Sequence, residues 1–147
     1  MSVLRIKKLK ENAVIPKRAT EGSAGFDLCA CIDSPVTIAP GERVSIPTGL
    51  AIAPDSRELV ALIFARSGLA VKKGITVSNS VGVIDSDYRG ELIVGLINLS
   101  RESYTIEQGE RIAQLVLMPV CLPEVEQVQV LDETERGDGG FGSTGKK

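Results

Sequence analysis

No stretch of ten residues in this chain carries an apolar stripe at helical spacing. It carries short apolar runs instead, each cut within a few residues by Gly, Pro or an Asx-Ser cluster. Phe26-Asp27-Leu28-Cys29-Ala30 alternates, with Phe26, Leu28 and Ala30 on one face and Asp27 on the other. Leu59 to Ala65 is apolar throughout, which predicts a strand buried on both faces. Such patterning restricts the chain to an all-β fold, a β-sandwich, distorted jelly roll or barrel. At most one short helix fits, from Ser67 to Lys73, after the bend at Arg66-Ser67-Gly68. V-T-I-A-P-G-E-R-V at 36–44 returns as Y-T-I-E-Q-G-E-R-I at 104–112, which predicts one hairpin used twice, as in a double Greek key.

A length of 147 residues is enough for one domain with a real core. With aromatic residues at 3%, that core must be aliphatic, and platforms for stacking single-stranded nucleic acid are disfavoured. A net charge of −2 implies no polyanion-binding surface, so nucleic acid is not an expected partner. No apolar run approaches the ~20 residues of a membrane span, and the start lacks a signal peptide's continuous apolar segment. A soluble, cytoplasmic protein is expected. Cys29, Cys31 and Cys121 cannot close a set of intrachain disulfides, and reduced thiols are expected.

The chain has no histidine. A Ser-His-Asp triad, a Cys-His pair and an H-E-x-x-H zinc site are therefore excluded. An enzyme built from this chain needs a carboxylate, a lysine or a metal-bound hydroxide as its base.

Chemistry concentrates in a few places. Ser78 to Gly95 reads as a hairpin, with Val81, Val83 and Ile84 leading in and Leu92, Val94 and Leu96 leading out. A turn needs a Gly and one or two Asx residues, which Asp87 and Gly90 supply. It does not need Asp85, Tyr88 and Arg89 as well. Asp85 follows two apolar residues, so a partly desolvated carboxylate at the mouth of the core is expected, either used or neutralised by Arg89. Arg66-Ser67-Gly68 interrupts apolar sequence on both sides, and an Arg, a hydroxyl and a glycine amide can hold phosphate oxygens. Gln114 is a lone amide in an apolar strand and needs partners. Asp27 follows Ala24-Gly25, where backbone can approach a ligand closely.

After Leu131 the chain reads D-E-T-E-R-G-D-G-G-F-G-S-T-G-K-K, too polar to cover its own backbone. Residues 1–131 are expected to form the β domain and 132–147 a flexible, glycine-rich lid belonging to it. Gly140 to Lys146 fits the start of a phosphate-binding G-x-x-x-x-G-K loop, but Lys147 stands where Ser or Thr is required. That reading is rejected.

In order, A-G-F-D-L at 24–28, A-R-S-G-L-A at 65–70, G-V-I-D-S-D-Y-R-G at 82–90, G-E-R-I-A-Q-L-V at 109–116 and R-G-D-G-G-F-G-S-T-G at 136–145 resemble the five motifs of the dUTPase family. The resemblance spans nearly the whole chain. It implies a jelly-roll homotrimer with active sites between subunits, hydrolysing dUTP to dUMP and pyrophosphate with Mg²⁺ on the triphosphate. Asp85 matches the residue that activates the attacking water, and Tyr88 the ring under the deoxyribose. The backbone around Ser78 to Val83, with Asn79, matches the hairpin that reads uracil. Arg66, Ser67, Gly68 and Gln114 match the phosphate cradle, and Asp27 a residue that meets the metal through water only. In the tail, Arg136, Ser143 and Thr144 match γ-phosphate contacts, and Phe141, beside Gly142, the ring that covers uracil. Phe26 stands where tyrosine is common.

Overall fold

The computed structural model describes residues 3–140. Its strands are β1 (Leu4–Lys8), β2 (Phe26–Cys29), β3 (Val36–Ile38), β4 (Arg43–Pro47), β5 (Leu50–Pro54) and β6 (Leu59–Ala65). After helix α1 (Ser67–Lys73) come β7 (Ile75–Val77), β8 (Gly82–Ile84), β9 (Ile93–Asn98), β10 (Tyr104–Ile106) and β11 (Arg111–Pro119). A four-stranded sheet, β2-β11-β6-β8, and a three-stranded sheet, β4-β9-β7, are accompanied by the pairs β1-β5 and β3-β10. Every strand pairing among the described residues is antiparallel. The expected all-β jelly roll with one short helix is what forms, and the core of Leu28, Ile38, Ile63, Leu96, Ile106 and Leu115 is aliphatic. Gly74, with φ of 69°, ends α1 in the left-handed conformation, where a side chain would be strained.

The internal repeat is real, but it is a corner rather than a hairpin. β3 and β4 do not pair with each other, nor do β10 and β11. β3 pairs instead with β10, so the two copies meet head to head at Thr37 and Thr105, whose hydroxyls bond at 2.8 Å. Each copy then turns through a glycine of positive φ, Gly41 at 78° and Gly109 at 76°. Glu42 and Glu110 cap their turns alike, accepting from the N–H groups of Ala39 and Glu107. Identical turn chemistry thus carries the chain between sheets twice. Glu110 also accepts a bond from the Tyr104 phenol, which burial and that bond push up to about 12.

Two further expectations are corrected. Ser78 to Gly95 is not one hairpin, because β8 pairs with β6 while β9 lies between β4 and β7. Nor is β6 buried on both faces. Ala61 and Ile63 face the core, whereas Val60, Leu62 and Phe64 are only half-buried. The chain therefore leaves an apolar band on the outer face of its largest sheet.

Candidate active site

Asp27 on β2 stands opposite Gln114 on β11, and Gln114 stands opposite Phe64 on β6. β6 ends at Ala65, so Arg66 emerges beside both, at the N-cap of α1. The Asp27 carboxylate accepts from Arg66 Nε at 2.9 Å and from Arg111 Nη1 at 3.1 Å. Arg66 Nη1 also donates to the Arg111 carbonyl at 3.2 Å. Gln114 Nε2 donates to the Ala65 carbonyl at 2.9 Å, which gives that amide its backbone partner. A Cβ on Gly25 would meet Gln114 Oε1 at 2.8 Å, so the close approach inferred at Ala24-Gly25 is made to Gln114. These residues, with Ser67 and Gly68, line a cavity of about 340 Å³. Two guanidinium groups face one carboxylate there, which leaves the cavity cationic. The first N–H groups of α1 have no helical acceptors and add donors at the same edge. Cys29, on the same strand, is buried, and burial first, and then Asp27, push its thiol up.

Asp85 lies beyond the end of β8, an edge strand, and is exposed rather than partly desolvated as expected. Its carbonyl accepts the Tyr88 N–H at 3.1 Å, closing the turn. Arg89 does not neutralise it. That guanidinium donates to the carbonyls of Ser86 and Tyr88. The Tyr88 hydroxyl donates to the Glu91 carbonyl at 3.1 Å, which folds the ring down over Gly90. A Cβ on Gly90 would meet the Tyr88 hydroxyl at 2.3 Å, so this ring position requires glycine. Val83, Asp85, Tyr88, Glu91 and Ile93 line a smaller cavity of about 190 Å³.

Between the two clusters runs the link from β7 to β8. Asn79 is exposed there, and Ser80 has φ of 67°, the one positive φ outside glycine among the described residues. Backbone held in this region is sparsely populated outside glycine and recurs at active sites and ligand clamps.

The two clusters do not meet within one chain. β6 and β8 pair Ala61 with Ile84 and Ile63 with Gly82. Continued, that register sets Asp85 beside Val60, at the opposite end of β6 from Arg66. Six residues of extended strand span about 20 Å.

The profile of the dUTPase family matches residues 11–145. The chain belongs to the dUTPase family. A deoxyuridine 5'-triphosphate nucleotidohydrolase from Hydrogenobaculum sp. is 55% identical over 145 residues, covering 98% of this chain and 99% of that protein. One from Salmonella paratyphi A is 52% identical, covering 90% and 88%. The Staphylococcus bacteriophage 80alpha dUTPase, solved with dUPNHPP, superposes with a TM-score of 0.88 at 32% identity, covering 97% of this chain and 98% of that one.

Within this dUTPase fold, Asp27, Arg66, Ser67, Gly68 and Gln114 are brought together, as are Val83, Asp85 and Tyr88. Arg136 Nε donates to the Gly139 carbonyl at 3.0 Å, in an exposed turn. Phe141, Gly142, Ser143 and Thr144 lie outside the described residues. Sequence reasoning missed Arg111, which the repeat disguised, since Arg43 stands at the same offset and forms no ion pair among the described residues. A bulge between Arg111 and Ala113 is what sets Arg111 apart. In a regular strand Arg111 and Gln114 would face opposite sides; the extra residue brings both to Asp27.

dUTPases are metal-dependent enzymes. Among the described residues no three His, Cys, Asp or Glu side chains gather as a metal cage. Asp27 has each carboxylate oxygen bonded to an arginine but keeps free lone pairs, which suits contact with a hydrated ion and not direct ligation. No helix among the described residues is long and apolar enough to cross a membrane.

Proposed function

We propose that this chain is a soluble, cytoplasmic enzyme that hydrolyses dUTP to dUMP and pyrophosphate by water attack on the α-phosphorus. The reaction keeps uracil out of DNA and supplies dUMP for thymidylate synthesis. The observation that carries the reading is one sheet face with a cationic cavity at one end and Asp85 with Tyr88 at the other. Arg66, Ser67, Gly68 and Gln114 hold phosphate oxygens with oriented donors. Asn79 and the backbone to Val83 read uracil, Tyr88 packs against the deoxyribose, and Asp85 positions water and takes its proton. Mg²⁺ on the phosphates, met by Asp27 through water, supplies charge neutralisation. From the tail, Arg136, Ser143 and Thr144 serve the γ-phosphate, and Phe141 covers the base beside Gly142.

Both ends serve one substrate only if they come from different copies. About 20 Å of strand separates them within a chain, and the apolar band of Val60, Leu62 and Phe64 lies between. Val83 and Met118, exposed at 63% and 44%, extend that band. Packing it against a second copy places one chain's Asp85 beside another's Arg66. A homotrimer closes this arrangement with three equal sites, and light scattering should return about three times the chain mass.

Pyrophosphate release measured with dUTP, dTTP, dCTP and UTP tests the function. Turnover of dUTP far above the other three is expected. Ammonia released from dCTP would instead mark a deaminase on the same fold, and binding without turnover a nucleotide sensor.

Sugar selectivity should rest on the Tyr88 ring. A ring that fills the space of a 2′-hydroxyl rejects ribose sterically, which discriminates better than a pocket that only fails to bind the hydroxyl. Tyr88→Ala should raise the use of UTP relative to dUTP. Gly90→Ala should do the same without touching the ring's chemistry, because its methyl displaces Tyr88. Unchanged dUTP-to-UTP ratios in both variants would place sugar choice elsewhere.

A further inference from the structure

We infer that Arg111 is a positioning residue for the phosphate site, acting through Asp27 to fix the guanidinium of Arg66. This deepens the functional reading above and rests on it. Arg66 is held on two sides, by its Nε to Asp27 Oδ1 at 2.9 Å and by Nη1 to the Arg111 carbonyl at 3.2 Å. Its remaining N–H groups are left for a ligand. Asp27 alone is a loose anchor, since a carboxylate on one rotatable stem swings about its bonds. Arg111 Nη1, donating to the second oxygen at 3.1 Å, closes the clamp from the other side. The Asp27 and Arg66 side chains are 22% and 25% exposed, whereas Arg111 is 57% exposed. The inner pair is thus shielded from solvent and directed, with Arg111 as the outer brace.

The bulge in β11 has this brace as its consequence. Without it, Arg111 would not share a face with Asp27 and Gln114. Arg43, its counterpart in the repeat, has the same turn behind it but forms no ion pair among the described residues. The guanidinium at 111 is therefore not required by the corner itself.

The test uses the full-length protein and two probes. Inorganic triphosphate reads the phosphate site, and deoxyuridine reads the base and sugar. Arg111→Gln should weaken triphosphate binding about 10-fold, the size of one charge-assisted hydrogen bond, and leave deoxyuridine binding unchanged. Because Arg111 meets Asp27 through a single nitrogen, Arg111→Lys should recover most of the loss. In an Asp27→Asn background, Arg111→Gln should cost nothing further, since its route to Arg66 is already broken. Additive losses would mean Arg111 meets the phosphates directly, and equal weakening of both probes with a lowered Tm would mean a purely structural role. Either overturns the proposal, as does failure of lysine to restore binding. If the unsubstituted protein does not bind triphosphate, the phosphate-site reading falls as well. If it binds and Arg111→Gln loses nothing, only the positioning role falls.

Discussion

Asp85→Asn should lower single-turnover hydrolysis of dUTP by about 10²–10⁴-fold, the usual cost of losing a general base. Water is a poor nucleophile at neutral pH, and the α-phosphorus carries negative oxygens that repel incoming charge. Cations at the phosphates offset that repulsion, but a group must still orient the water and accept its proton. The chain has no histidine for this. Asp85, an acceptor-only carboxylate at the turn that also carries Tyr88, suits both tasks. Asparagine keeps the size of the side chain and leaves the Asp85 carbonyl free to accept the Tyr88 N–H, so the turn should survive. Affinity for a non-hydrolysable dUTP analogue should hold or improve, because a carboxylate near a triphosphate is repulsive in the ground state. Loss of binding together with turnover would make Asp85 a structural turn residue. Near-normal turnover would assign the base elsewhere.

Ending the chain after Thr134 should abolish most turnover and barely change Tm. The last strand closes at Pro119, and Leu122, Val125, Val130 and Leu131 beyond it are exposed, so among the described residues the core is complete before Thr134. Core residues set stability, and a polar, glycine-rich terminus adds little to it. The removed residues carry Arg136, Phe141, Ser143 and Thr144, every group assigned to closing over the nucleotide. Excluding water from a charged reaction centre and placing an arginine on the γ-phosphate both act on the transition state. A truncated protein that hydrolyses dUTP at the full rate would show that the tail has no catalytic part. A large drop in Tm would show that it belongs to the fold.

The fold was legible where local pattern decides it. Alternation gave β2, the repeat gave two equivalent turns though not that they are corners instead of hairpins, and α1 spans the Ser67–Lys73 segment that follows the bend. Pairing was not legible, because a strand's partner is set by contacts far along the chain. Val83 and Val94 read as two arms of one hairpin, yet they belong to different sheets. The motif residues around Arg66 and Asp85 could be named from residue type and spacing, since phosphate binding and water activation need those groups. Arg111 could not, because its value comes from a bulge that no periodicity shows. The environment of Asp85 was misjudged for a related reason. Two preceding apolar residues suggest burial, but a residue leaving an edge strand points into solvent unless a second copy covers it.

Mixed oligomers show whether a second copy supplies that cover. Chains bearing Asp85→Asn and chains bearing Arg66→Ala should each be nearly inactive alone. When the two are refolded together, sites that take Asp85 from one chain and Arg66 from its neighbour are intact. Random mixing in equal amounts should restore about a quarter of the unsubstituted rate of dUTP hydrolysis. Mixed oligomers that form yet stay inactive would contradict a shared site, and would require both residues to act within a single chain.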